Sequence, residues 1–186
     1  FIFALKRFSD RNKPQEPESP RMDVIIDWCS EYEKKLSPFL LNDITLLIEK
    51  TVLVTVFLFL NVIEKKENES VESFLTFLKS MTPEDIYNGV FSEVLDSKND
   101  KISKEKIYTA VFEKGLHRGY DPEEEAELLY GFLQDPENFL TRLHRICSDF
   151  YNIAFLPAKE SFKELSEEKM KWHADRLAMG ASTYLR

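Results

Sequence analysis

His144 and Cys147 stand three positions apart in a stretch with helical periodicity, so a ring nitrogen and a sulfur would share one face and offer two ligands to zinc or copper. Structural sites need about four ligands. The others would have to come from His117, His173, Cys29 or distant carboxylates, and a packed cysteine beside a boundary histidine accounts for the pair without any metal. No resident metal or cofactor is expected, and His144 and Cys147 remain only weak candidates. Asp96-Ser-Lys-Asn-Asp-Lys101 has the look of a calcium loop. Lys98 occupies a ligand position, however, Lys101 replaces the required glycine, and Ile107 stands where the bidentate Glu belongs. The acidic run Asp121, Glu123, Glu124, Glu125 and Glu127 offers paired carboxylates, yet a helix start is where such charges are stabilised and solvated. No nucleophile elbow or Gly-rich oxyanion turn accompanies the serines and histidines, so no catalytic residue is assigned. His173, beside Met170 and Leu177, could act as a pH-sensitive contact, or be hydrogen-bonded within packing.

The composition narrows the classes further. Only 5 Gly argue against phosphate-cradling loops, and a net charge of -8 with no Lys/Arg cluster disfavours direct nucleic-acid binding. With 43% hydrophobic and 31% charged residues the chain is globular, and its 15 Phe imply an aromatic-rich interior or pocket. Cys29 and Cys147 lie far apart without framework spacing, which fits a reduced, cytoplasmic setting. The most apolar run, Val52 to Ile63, is roughly 12 residues long where a membrane helix needs ~20. The opening Phe-Ile-Phe-Ala-Leu-Lys-Arg-Phe lacks the features of a signal peptide and reads as the end of a helix that starts before this sequence.

Positioning elements follow from punctuation and period. Lys13-Pro-Gln-Glu-Pro-Glu-Ser-Pro20 cannot sustain a helix and reads as a linker. Val24, Trp28, Tyr32 and Leu36 recur every fourth position and line one helix face. Ser37-Pro38 restarts the chain with a cap and a first-turn proline, and Thr82-Pro, Asp121-Pro and Asp135-Pro repeat the device. Ser70 and Ser103 start two more helices, the latter stopped by Gly115. Val52 to Ile63 is rich in β-branched residues. A lone strand there would leave its backbone unpaired, so a buried helix is favoured, with strand kept as the alternative. Phe139, Leu143, Ile146 and Phe150 form a stripe widened by Leu140, Cys147 and Tyr151. After Pro157 a last helix runs to about Leu185, with Phe162, Met170, His173, Leu177 and Tyr184 near one face and Leu165 and Trp172 on its flank.

One ordered set of motifs goes beyond periodicity: Trp28 to Pro38 ending in Lys-Lys-Leu-Ser-Pro, Ser70-Val-Glu-Ser-Phe-Leu-Thr-Phe-Leu78, Met81-Thr-Pro-Glu-Asp-Ile-Tyr87, Phe132-Leu-Gln-Asp-Pro136 and Phe150-Tyr-Asn-Ile-Ala-Phe155. This order resembles the helical N-terminal region of bacterial ArsR-like winged-helix transcription regulators. The resemblance implies a cytoplasmic effector-binding or dimerisation region that couples to a DNA-reading winged helix. Nothing after Trp172 resembles that winged helix, and the cysteine pair of metal-sensing ArsR-like repressors is absent.

The expectation is therefore an all-α, multi-helix bundle with a long C-terminal helix. Residues 1–20 would be a leading helix and Pro-rich linker, 21–156 the bundle, and 157–186 a dimerisation or connector helix. Phe162, Leu165, Trp172, Leu177 and Tyr184 are the interface candidates. The expected partners are a second copy and a small-molecule effector of unknown identity, with DNA reached only through a module outside this sequence and no membrane. A stand-alone helical adaptor and a small-molecule-binding bundle are the alternatives.

Overall fold

The computed structural model describes residues 1–12, 22–51, 54, 70–86, 88, 103–113 and 121–178, and in the last helix the side chains of 159–165, 167, 168 and 171. Among these residues every regular element is helical and none is a strand. In chain order they are α1 (Ile2–Ser9), α2 (Met22–Glu33), α3 (Pro38–Ile44) running into a π turn (Thr45–Glu49), α4 (Val71–Ser80), α5 (Pro83–Ile86), α6 (Lys104–Glu113), α7 (Pro122–Gln134) and α8 (Pro136–Phe150). A second π turn (Tyr151–Phe155) and a 3-10 turn (Leu156–Ala158) then lead into α9 (Lys159–Ala178), so the chain stays helical from Pro136 to Ala178. No helix among the described residues is long and apolar enough to cross a membrane.

The helix starts lie where the capping residues place them. The Ser37 hydroxyl accepts from the Leu40 N–H at 3.2 Å with Pro38 in the first turn, and Asp121 and Asp135 accept from Glu123 and Asn138 at 2.9 and 3.1 Å. Ser70 and Ser73 close a reciprocal box at the start of α4. Thr82 and Asp85 do the same for α5, with the Thr82 N–H donating to the Asp85 carboxylate at 2.8 Å. The Ser103 hydroxyl accepts from the Lys106 N–H at 3.2 Å.

The two π turns have a common consequence. Widening the helix shifts the register of its backbone hydrogen bonds, and side chains donate to carbonyls in or beside both turns. At the first, buried Thr51 donates to the Leu47 carbonyl at 2.6 Å and Lys6 reaches the Ile48 carbonyl at 3.4 Å. At the second, Pro157 has no N–H for Ile153 and its ring would collide with that carbonyl, so an α-helix cannot run through unchanged. The sequence places a break at Pro157. The structure shows a change of helical pitch instead, and α9 begins at Lys159.

α8 is the central element, with Phe139, Leu143, Ile146, Cys147 and Phe150 all buried and α3, α4, α5 and α7 packed against it. α1 belongs to the same core: Leu5 and Phe8 are wholly buried, and the Phe8 ring meets those of Trp28 and Phe150 at 5.6 and 5.3 Å. The stripe read on α2 holds, with Trp28, Tyr32 and Leu36 buried and Val24 half-buried. Phe1, Phe74, Tyr151, Phe155 and Phe162 extend the aromatic core.

In one place burial departs from the sequence reading. Asp121, Glu123, Glu124 and Glu127 are exposed as expected at a helix start, but Glu125 is wholly buried, because it lies on the same face of α7 as Ala126 and Leu129. Linker 13–20, the Asp96–Lys101 loop, Gly115 and His117 fall outside the described residues. So does Val52 to Ile63 apart from Val54, which is helical and buried.

Candidate functional site

The junction between α8 and α9 is built around Trp28. Its indole N–H donates to the Ala154 carbonyl at 3.2 Å, a buried hydrogen bond spanning most of the chain. The same ring meets Phe162 edge-on at 4.7 Å and Phe150 at 5.9 Å, while Phe155 stacks on Phe162 at 5.5 Å. Trp28 therefore fills two needs of the second π turn. It caps a carbonyl within the altered helix, and it offers an aromatic wall to the first residues of α9. Tyr151, in the same turn, donates its hydroxyl to the Glu72 carboxylate of α4. That bond holds Glu72 below the usual carboxylate range and raises the Tyr151 phenol.

Beside it, between α1 and α2, lies a partly open cleft of about 80 Å³, lined by Arg7, Arg11 and Asn12 from α1 and its exit and by Ile25, Ile26, Cys29, Ser30 and Glu33 from α2. The Arg11 side chain is only 9% exposed, against 43% for that of Glu33. It donates through Nε to Glu33 at 2.8 Å and through a terminal nitrogen to the Phe8 carbonyl at 3.2 Å, with its guanidinium 4.8 Å over the Phe8 ring. Burial pushes the Cys29 thiol up to about 11, against the opposing charges of Arg11 and Arg7, so at neutral pH it is a thiol and a poor nucleophile.

A third constellation ties α3 to α8. Asp43, 5% exposed, accepts from Arg142 at 2.6 and 3.2 Å and from Arg145 at 2.5 Å. Burial acts to raise its carboxyl, and the hydrogen bonds and charges of Arg142 and Arg145 outweigh that, leaving it below the ordinary value. This is a satisfied structural lock that has no reacting atom to offer.

The residues singled out from sequence are dispersed. Cys147 is wholly buried with its thiol pushed up to about 12, and His144 is half-buried one turn away. Among the described residues no three His, Cys, Asp or Glu side chains come together as a metal set, and both cysteines are free thiols. Phe162 packs inside the chain on Trp28 and Phe155, because the pitch change turns it back onto the body. Leu165 is half-buried. Trp172 and Leu177 lie on the helical backbone of α9 with side chains outside the described set, as is Tyr184 altogether.

Sequence reasoning took Trp28 as an ordinary core residue and missed Arg7, Arg11, Asp43, Arg142 and Arg145. Asp43 did carry a signal, a charge set among the buried positions Leu40, Ile44 and Leu47 of one helical face. Arg7 in α1 and Arg11 just after it carried none beyond their spacing. No protein-family model, curated protein or solved structure matches this chain.

Proposed function

We propose that this chain is a non-catalytic, cytoplasmic effector-binding and dimerisation region of a bacterial transcription regulator, passing the state of its helical body through α9 to a partner copy and to a DNA-binding module outside this sequence. The observation that carries this reading is the Trp28 junction. One side chain of the body holds both the altered backbone before α9 and, through Phe162, the first turn of α9 itself. A displacement of α2 is thereby a displacement of the root of a helix that runs on to Ala178. Glu160, Lys163, Glu164, Glu167, Glu168 and Lys171 line the exposed part of α9, and the sequence then brings Trp172 and Leu177, the apolar residues available for a second copy. The resemblance of the motif order to ArsR-like regulators supplies the link to transcription.

Light scattering on the whole chain and on Trp172→Ala tests it. A dimer that Trp172→Ala dissociates supports the reading. A strict monomer in which the substitution changes neither association nor stability overturns it. The stand-alone adaptor is favoured by one observation, Phe39 at the start of α3, which is 82% exposed and so available to a protein partner.

A further inference from the structure

The charges of α9 are not spread evenly along it. Its first ten residues carry two lysines and four glutamates, a net charge of -2, and its last ten carry three basic residues and Asp175, a net charge of +2. The helix as a whole is therefore neutral, and the -8 of the chain is carried by the rest of it. Two copies that approach through α9 avoid the repulsion that opposes contact between like-charged bodies. A single ion pair across the midpoint of the helix would lower the two halves to -1 and +1 and leave their signs unchanged.

Phe162 anchors α9 to the body, while Glu160, Lys163, Glu164, Glu167, Glu168 and Lys171 are all exposed. Glu160, Glu164 and Glu167 follow one another at spacings of four and three residues, where like charges destabilise an isolated helix. Acid towards the start and base towards the end do suit the helix dipole. That effect fades within the first and last turns, whereas Glu164, Glu167, Lys169 and Lys171 lie in the middle of a helix of 20 residues. A second helix accounts for them better. Packed helices lie about 8–10 Å apart, close to the screening length of about 8 Å at physiological ionic strength, so the charges of one bear on the other. Side by side in parallel, two copies of α9 set -2 against -2 and +2 against +2. Antiparallel, each half meets its opposite.

We propose that two copies of this chain pair through α9 in antiparallel orientation, the acidic first half of each helix lying against the basic second half of the other. This names the partner and its orientation for the dimerisation role proposed above, and rests on that role. A twofold axis at the midpoint, between Glu168 and Lys169, sets Glu160 one residue from the level of Arg176 in the second copy, and Glu167 one residue from the levels of both Lys169 and Lys171. The same register brings Trp172 level with Leu165 of the second copy, so two of the apolar interface candidates meet at one height.

Analytical ultracentrifugation of the whole chain, parent and variants, provides the test. The parent dimer should weaken roughly tenfold or more between about 0.05 and 0.5 M NaCl, as screening of opposite charges requires, and a dissociation constant unmoved by salt overturns the pairing. Glu164→Lys with Glu167→Lys, both away from the helix ends, turns the first half from -2 to +2. Antiparallel pairing then sets like against like, and the dimer should weaken roughly tenfold or more. Parallel pairing would leave the repulsion as it was, so an unchanged dimer overturns the proposal. Adding Glu160→Lys, Lys169→Glu, Lys171→Glu and Arg176→Glu exchanges the signs of the two halves completely. That variant should pair with itself as the parent does, and native mass spectrometry of an equal mixture should find parent and variant in mixed dimers less often than random exchange gives. A mixed share at or above the random one means parallel helices and overturns the orientation. Should the exchanged variant lose helix by circular dichroism, the salt series and the double variant decide. A parent that stays monomeric in both salts removes the dimerisation reading and this pairing with it, whereas a dimer that Trp172→Ala dissociates but salt and charge leave unchanged removes the pairing alone.

Discussion

Replacing Trp28 by Phe is the most informative single perturbation, because it keeps an aromatic ring in the core and deletes the N–H that holds the α8–α9 junction. The Ala154 carbonyl is buried and accepts that N–H at 3.2 Å. Leaving such an acceptor unmet costs roughly 1–3 kcal/mol. The smaller ring also retreats from Phe162 at 4.7 Å and Phe150 at 5.9 Å, leaving a void worth about 1 kcal/mol more. Together the loss is roughly 2–4 kcal/mol, or a fall in melting temperature of roughly 5–15 °C for a chain of this size. Urea denaturation followed by circular dichroism measures the total. Amide hydrogen exchange locates it, and the amides from Tyr151 to Phe162 should open earlier than those of α4 or α7. Phe162→Leu is the control, since it removes the ring contact but keeps the indole hydrogen bond, and it should cost less. A Trp28→Phe loss under about 0.5 kcal/mol, with junction amides as protected as in the parent, would refute the claim that Trp28 organises the root of α9.

Asp43→Asn should cost roughly 2–4 kcal/mol at neutral pH, nearer the lower figure because Arg145 is half in water. Because the Asp43 carboxyl is held below its ordinary value, its contribution is present above the unfolded-state value of about 4 and lost as pH falls through the folded one. The asparagine variant should therefore show a flatter decline in urea midpoint between neutral and acid pH, and an unchanged slope would contradict the lock. Thr51→Val keeps side-chain shape while deleting the donor to Leu47, and a drop of about 1–2 kcal/mol in chemical denaturation is expected. In Glu72→Gln the Tyr151 phenol should titrate lower than in the parent when followed by ultraviolet absorbance, since its rise comes first from the bond to that carboxylate.

What could be read in advance divides along the distance over which each interaction acts. Helix starts at Ser37, Ser70, Thr82, Ser103, Asp121 and Asp135 were legible because a cap needs only a side-chain oxygen two or three residues from an orphan N–H, a relation written in the local sequence. The buried stripes of α2 and α8 were legible for a similar reason, since helical period alone puts Trp28 with Tyr32, and Phe139 with Leu143 and Ile146, on one face. Pro157 announced an interruption. That the helix would continue past it with a change of pitch, and that the Ala154 carbonyl there would accept from Trp28, over a hundred residues earlier, is written in no local signal.

The candidate site was not legible, and neither was the fate of Phe162. Arg7 and Arg11 face Cys29 and Glu33 only because α1 packs beside α2 across the intervening segment, and Asp43 meets Arg142 and Arg145 only because α3 lies along α8. Phe162, an interface candidate from the sequence, is half-buried and packs on Trp28 and Phe155, contacts that follow from how the π and 3-10 turns lead into α9. By itself, then, the sequence determined that the chain is helical, where the described helices begin and which faces they bury, because those are properties of neighbours within a turn. Only the tertiary structure decided which charges meet, where a cleft remains and how the last helix is held, because those depend on pairings between residues that no local period relates.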